Sequence, residues 1–168
     1  MILMLGEVSG VSVEHLLARP DKSGRPGVRG PVGRLSDLRE GDKLHIAGVS
    51  DGSRVAGYDP AALVDRLREL GWHPAVRLRQ VHLIADWTGA GDAGSFAARL
   101  ASALAGAGFD LDEIKAPLGQ VRCDARGKIW VCLGEAQQWA PSSPALNLYV
   151  GPRVPAKHLR MHPPSSPL

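Results

Sequence analysis

Apolar and polar positions follow two alternating periods in the central part of the chain. Residues 43–48 and 80–85 are short apolar runs, and each is followed by a loop rich in glycine and polar side chains. After each loop the apolar positions recur with the spacing of one helix face, which predicts helices over 60–70 and 96–105. The central order is therefore strand, helix, strand, helix.

The predicted helices begin and end at ordinary capping residues. Asp59 precedes Pro60, which suits an N-cap followed by proline at the first helical position, and Ser95 can cap the second helix. Gly71 and Gly106 end the two apolar patterns.

A short strand and a hairpin are predicted further along the chain. Residues 113–116 favour a strand, and residues 120–123 and 128–133 flank a turn at 124–127 that contains glycine. Alternation of strands and helices predicts an α/β fold with a mostly parallel central sheet, right-handed crossovers and helices on both faces, in three layers. In such folds ligands bind beyond the carboxyl ends of the strands, which directs attention to the loops after 48 and after 85.

Composition narrows the class of protein. A length of 168 residues with 44% hydrophobic and 22% charged residues is typical of one globular domain, and we expect it to span 1–151, followed by a proline-rich tail at 152–168. The net charge of +3 is too small to indicate a nucleic-acid partner. Two cysteines cannot build the disulfide framework of a small secreted scaffold.

The first residues are apolar but do not form a targeting signal. Residues 1–5 lack a basic start, and Glu7 ends the apolar run. We therefore expect no membrane span, and either a cytoplasmic location or secretion without a cleavable signal peptide.

A basic segment at 19–34 is a loop by its glycine and proline content. Its cations are opposed only by Asp21, so either a solvated loop or a site for a phosphorylated or other polyanionic ligand remains open. The candidate polyanion-binding residues are Arg19, Lys22, Arg25, Arg29 and Arg34.

Six sequence segments are informative as an ordered set. They are DKLHIAG at 42–48, VAGYDPAAL at 55–63, VHLIADWTG at 81–89, GSFAARLA at 94–101, IKAPLGQV at 114–121 and DARGK at 124–128. In their order and spacing they resemble segments of caspase-like cysteine peptidases. The nearest group is the autoprocessing protease domain of large bacterial toxins, together with the related peptidase modules of polymorphic toxins. The resemblance covers about half of the chain, residues 41–133.

The resemblance implies a His–Cys dyad, and this sequence departs from it at both positions. The position of the family's histidine is Val49, and the position of its cysteine nucleophile is Asp86. Valine cannot accept a proton, and a carboxylate is a poor nucleophile towards an amide. The resemblance therefore implies a caspase-like fold that has lost its catalytic pair.

A displaced dyad is the main enzymatic alternative. His45 and His82 each lie four residues before a dyad position and so within a predicted strand, while Cys123 and Cys132 fall on the late hairpin. Buried structural roles are the commoner use of such residues, but an active cysteine peptidase built from these four residues stays open.

The function predicted from the sequence is that of a protein-binding pseudopeptidase, implied to be a bacterial effector or toxin-derived module. Its partner would be a protein or peptide, and its binding residues would be Ser50, Asp51, Asp86 and Trp87 at the two loops. Asp86 and Trp87 favour a basic or amide-rich segment over an acidic one. The third hypothesis is an α/β domain that binds a phosphorylated ligand through the basic segment. No metal or cofactor is predicted from the residues; inositol polyphosphate is implied only by the resemblance.

Overall fold

The computed structural model describes residues 1–6, 8, 10–17, 34–134 and 138–151. Within these ranges the chain forms strands and α-helices, with short 3-10 turns between some of them. In chain order they are β1 (Ile2–Met4), α1 (Val13–Leu17), β2 (Lys43–Ala47), α2 (Pro60–Glu69), β3 (Leu78–Ile84), α3 (Phe96–Gly106), β4 (Leu111–Pro117), β5 (Gln120–Cys123), β6 (Ile129–Cys132), β7 (Trp139–Pro141) and β8 (Asn147–Val150).

The main sheet has five strands in the order β1-β2-β3-β4-β8. The first four are parallel, and β8 runs antiparallel to β4 at one edge. The predicted pairing of the two central strands is confirmed, since β2 and β3 are parallel neighbours with His45 opposite His82. Their carboxyl ends therefore meet at the same edge of the sheet.

Helices α2 and α3 begin where the sequence predicts. Asp59 Oδ1 accepts a hydrogen bond from the Ala62 amide at 2.8 Å, and Ser95 Oγ accepts one from the Ala98 amide at 3.1 Å. Both side chains thereby satisfy amides of a first helical turn.

The two long helices pack on the same face of the main sheet. Leu63 and Leu67 of α2 share one core with Leu100 and Leu104 of α3 and with Leu83 of the sheet. The α/β class is confirmed. The expectation of helices on both faces, in three layers, does not assign these two helices to faces, and both lie on one. The described chain is therefore not clearly a three-layer helix–sheet–helix arrangement.

The opposite face is covered at its carboxyl half by other elements. A second core joins this face to α1 and to a three-stranded antiparallel sheet of order β5-β6-β7. The reason lies in the hairpin sequence, whose alternate residues are apolar and can close over the sheet. This core consists of Ile2, Val11, Leu16, Ala47, Ile84, Val121, Cys123 and Ile129.

The predicted hairpin is confirmed. Strands β5 and β6 pair with Gln120 opposite Cys132 at one end and Cys123 opposite Ile129 at the other. In its turn, Asp124 Oδ1 accepts from the Arg126 and Lys128 amides at 2.9 and 3.0 Å. Gly127 has φ +77°, a conformation that glycine adopts without strain.

The three-stranded sheet is an excursion whose two ends lie side by side. Pro117, the last residue of β4, is paired with Asn147, the first residue of β8. The Leu118 amide also donates to the Leu146 carbonyl at 3.0 Å. The chain thus leaves and re-enters the main sheet at one point.

Some sequence predictions fall outside the described residues. These are the tail at 152–168 and the basic residues Arg19, Lys22, Arg25 and Arg29; Arg34 is described and exposed. In the part of the chain that is described, no helix has the length and apolarity needed to cross a membrane.

Candidate functional site

Two loops meet at the carboxyl edge of β2 and β3. We call residues 48–58 the β2 loop and residues 85–95 the β3 loop. They touch where Gly52 faces Trp87, since a Cβ placed on Gly52 would lie 3.2 Å from the Trp87 Cβ. Arg99 of α3 also donates from Nη2 to the Ser53 carbonyl at 3.3 Å. The structure thus brings together the two loops that the sequence singles out.

The β2 loop is held mainly by its own side chains. Asp51 Oδ1 accepts from the Ser53 amide at 2.8 Å, the Ser53 hydroxyl at 2.8 Å and the Arg54 amide at 3.0 Å. These bonds, first among them the one from the Ser53 amide, lower the pKa of Asp51 to about 2. Ser50 Oγ accepts from the Gly52 amide at 2.9 Å. The predicted binding residues Ser50 and Asp51 therefore shape the loop that carries them.

Val49 stands out of this loop into solvent. Its side chain is 61% exposed, whereas nearby Val55 is fully buried and anchors the loop. The Ala56 amide donates to the Val49 carbonyl at 2.7 Å, which fixes the backbone behind the exposed side chain.

The β3 loop is attached to other parts of the fold. Asp86 Oδ1 accepts from the Val121 amide of β5 at 2.8 Å. The Trp87 amide donates to the Gly119 carbonyl at 2.9 Å, and the Gly89 amide donates to the Pro117 carbonyl at 2.8 Å. Burial raises the pKa of the half-buried Asp86 carboxyl, and the bond from Val121 opposes that shift. This carboxyl therefore caps the start of the three-stranded sheet.

Close packing leaves no room for side chains at one point of the β3 loop. A Cβ on Gly89 would lie 2.6 Å from the Ala116 carbonyl oxygen. Next to it, the buried Thr88 donates its hydroxyl to the Ala85 carbonyl at 2.9 Å. Residues 86–89 of the β3 loop are therefore closely packed against the end of β4 and the β4–β5 connection.

Backbone strain is concentrated in the same two loops. Across the described ranges, the non-glycine residues with positive φ are Ala56 at +50°, Trp87 at +61° and Asp92 at +50°. Such conformations cost energy and persist where the surrounding structure imposes them, often at binding sites. The three residues therefore mark positions where the surrounding fold imposes the backbone conformation.

The two dyad positions do not supply dyad chemistry. Val49 has no titratable group, and the Asp86 carboxyl is used in a structural hydrogen bond. The histidines lie within β2 and β3, as the sequence predicts, with ring centroids 5.3 Å apart and His82 only 2% exposed.

Both cysteines are buried in the three-stranded sheet. Cys123 is 7% exposed and belongs to the second core, and Cys132 is 1% exposed. Their thiols donate to nearby backbone carbonyls, those of Asp124 at 3.5 Å and Gly134 at 3.3 Å. Burial restricts access to both sulfur atoms.

One polar row was not predicted from the sequence. His45, His82, Lys115 and Tyr149 lie in register across β2, β3, β4 and β8, on the face opposite α2 and α3. Burial, and secondarily the charge of Glu113, raise the pKa of Tyr149. Each strand shows a polar residue among apolar ones in the sequence, but the alignment of the four side chains into one row depends on the strand register.

A metal site at these loops finds no support in the described part of the chain. There, no three His, Cys, Asp or Glu side chains lie close enough together to hold a metal ion. Asp51 and Asp86 instead bond to separate backbone amides.

Comparison with known proteins yields no match for this chain, either among protein-family models or among curated proteins. The resemblance to caspase-like peptidases therefore depends on the ordered sequence segments alone.

Proposed function

We propose that this chain is a caspase-like domain without peptidase activity, which binds a protein or peptide segment at the edge formed by the β2 and β3 loops. The observation that carries this proposal is the identity of the two residues at the dyad positions and what each of them does in the structure. Val49 offers an exposed apolar surface there, and Asp86 is bonded to the Val121 amide. In this proposal the three-stranded sheet takes the place of one helical layer of the resembled fold.

The chemistry of amide cleavage argues against an enzyme of the cysteine-peptidase type. Such an enzyme needs an accessible thiolate with an imidazole within reach of it. Cys123 and Cys132 are buried, and both bond to carbonyl oxygens through their thiols. Reactive cysteines usually lie in partly exposed, electropositive surroundings instead.

The shape of the edge supports binding. A partner gains most from a surface that is already ordered, because less conformational freedom is then lost. The β3 loop provides such a surface through its bonds to β5 and to the β4–β5 connection, and Val49 supplies an exposed apolar contact.

The charges at the edge suggest which partner fits. Asp51 is exposed and, with a pKa of about 2, ionised at neutral pH, while Arg54 follows in the same loop. An amide-rich segment can bond to both groups, whereas an acidic segment would meet the Asp51 charge. We therefore expect amide-rich or basic peptides.

The test is selection from a displayed library of random peptides, followed by affinity measurement on the selected sequences. We expect Val49→Asp to weaken binding by about tenfold or more, because it places a charge in the apolar contact. The matched control is Ala105→Asp, which adds the same charge to an exposed alanine near the end of α3. Equal binding by both variants, or failure to select any peptide, would contradict the proposal.

Alkylation tests the absence of a cysteine nucleophile. With iodoacetamide at neutral pH, both cysteines of the folded protein should react no faster than a free model thiol, since both are buried. The unfolded protein in urea serves as the reference for full access. Rapid labelling of one cysteine, accompanied by loss of a peptidase activity, would overturn the proposal.

A further inference from the structure

The three-stranded sheet has one buried face and one outward face of different chemistry. Val121, Cys123 and Ile129 point into the second core. The alternate positions Arg122 and Trp130, which are paired across β5 and β6, therefore lie on the opposite side. We call this opposite side the outer face.

Cations and indole rings are interleaved on the outer face. The Arg122 guanidinium carbon lies 4.4 Å from the ring centre of Trp139 on β7. The Lys128 ammonium lies 5.2 Å from the ring centre of Trp130. Arg122 and Lys128 are exposed, and both tryptophans are partly exposed. Each cation is thus held near an aromatic ring and still reaches solvent.

The carboxylate of this hairpin faces its own turn. Asp124 accepts from the Arg126 and Lys128 amides through Oδ1 and from the Trp130 indole through Oδ2 at 3.0 Å. These bonds, with the Trp130 bond foremost, lower the pKa of Asp124. It is the one carboxylate within residues 120–132, so Arg122, Arg126 and Lys128 still give the hairpin an excess of positive charge.

We propose that the outer face binds single-stranded nucleic acid. Such strands combine regularly spaced phosphates with flat bases, and proteins bind them through cations along the backbone and through stacking on aromatic rings or guanidinium planes. The outer face offers both features within one small sheet. An acidic peptide would pair with the cations, but its carboxylates would not stack on the two indole rings.

The small net charge of the whole chain does not oppose this proposal. Phosphate contacts depend on cations at the contact surface, and the charge of +3 is a sum over all 168 residues. The expectation of no nucleic-acid partner, drawn from that sum, did not consider how the hairpin arranges its charges.

The experiment is a titration of the protein with an oligothymidine of about twelve nucleotides, within the range that such surfaces occupy. Indole emission should be quenched as bases stack on Trp130 and Trp139. Trp139→Ala should weaken binding about tenfold, and Trp139→Phe should restore most of it. Arg122→Gln should lower the slope of log affinity against log salt by about 0.7, the value for one phosphate contact on a single strand.

The controls separate this site from other surfaces. Arg68→Gln removes an exposed arginine that lies over a different aromatic ring, Phe109, and should leave affinity and salt slope unchanged. Val49→Asp should also have no effect, which keeps this test independent of the proposed peptide site. The proposal fails if the oligonucleotide does not bind, if Arg122→Gln and Arg68→Gln act alike, or if polyglutamate of equal charge binds as tightly.

Discussion

The β2 and β3 loops occupy equivalent places at the ends of neighbouring parallel strands, yet they are stabilised in different ways. In the β2 loop the Asp51 carboxyl bonds to residues two and three positions further along the same loop. In the β3 loop the Asp86 carboxyl bonds to Val121, 35 residues away. One loop is locally closed and exposed, and the other is fastened to the rest of the fold.

The two loops should therefore differ in how firmly their backbones are held. The exposed bonds of Asp51 can exchange with water, so residues 51–54 are held less firmly than Val55, which is fully buried. The β3 loop bonds to Gly119 and Pro117, so it cannot move without breaking these bonds unless the β4–β5 connection moves with it. In the proposed peptide site, the exposed apolar contact would come from the β2 loop and the attachment to the rest of the fold from the β3 loop.

The largest effect is expected from a substitution that disrupts the packing of the β3 loop. Gly89→Ala should lower the free energy of unfolding by about 3 kcal/mol, because the added methyl group meets the Ala116 carbonyl. Gly94→Ala in the same loop is the matched control, since a Cβ there has no atom within 4 Å. Urea unfolding of both variants measures the difference. Similar losses in both would mean that the β3 loop is not rigidly packed.

A smaller effect is expected when the long-range carboxyl contact is removed. Asp86→Ala leaves the Val121 amide without this acceptor and should cost about 1–3 kcal/mol of unfolding free energy. Asp86→Asn retains an oxygen acceptor and should cost less. Hydrogen exchange at the Val121 amide provides the direct readout: it should accelerate in Asp86→Ala and remain slow in Asp86→Asn. Unchanged protection in Asp86→Ala would show that the contact is not needed.

The smallest expected effect is on the pH dependence of stability, to which Asp51 and Asp86 should contribute with opposite signs. The pKa of Asp51 is lowered from 3.8 to about 2, so its contribution to stability is present above pH 3.8 and is lost as the pH falls towards 2. The pKa of Asp86 is raised above 3.8, so its contribution is present at low pH and is lost as the pH rises through the raised value.

Urea unfolding of wild type, Asp51→Asn and Asp86→Asn from pH 2 to 6 tests these signs. Relative to each variant, wild-type stability should rise with pH in the Asp51 comparison and fall with pH in the Asp86 comparison. Slopes of the same sign would show that the two carboxyls do not differ in environment.

The parts of the fold that were predicted correctly have local causes. Asp59 and Ser95 cap helices that carry a clear apolar period, and Gly127 lies in the predicted turn between β5 and β6. In each case the determining residues lie within one helix or one turn. The parallel pairing of β2 and β3 also followed, because crossover helices leave few alternatives.

The parts that were missed depend on distant contacts. Strands β1, β7 and β8 have only three or four residues each, and pairing with distant neighbours defines them. The equally short β5 and β6 could be predicted because a turn containing Gly127 joins them directly. The hydrogen bond from the Val121 amide to the Asp86 carboxyl was not predicted, because no local sequence pattern encodes it. The assignment of Asp86 to a binding site stays a prediction. The outer face was missed because Arg122 and Trp139 come together only through β6.

The paired ends of the excursion at Pro117 and Asn147 give the three-stranded sheet the connectivity of an insertion between β4 and β8. The sheet is nevertheless part of the fold, because its inner face closes the second core and its Val121 amide bonds to Asp86. Substitutions should therefore be tolerated unequally across it, since an exposed outward position such as Arg122 lies outside that core, whereas Cys123 and Ile129 belong to it. The outward surface of this sheet can change in evolution while the core beneath it stays the same.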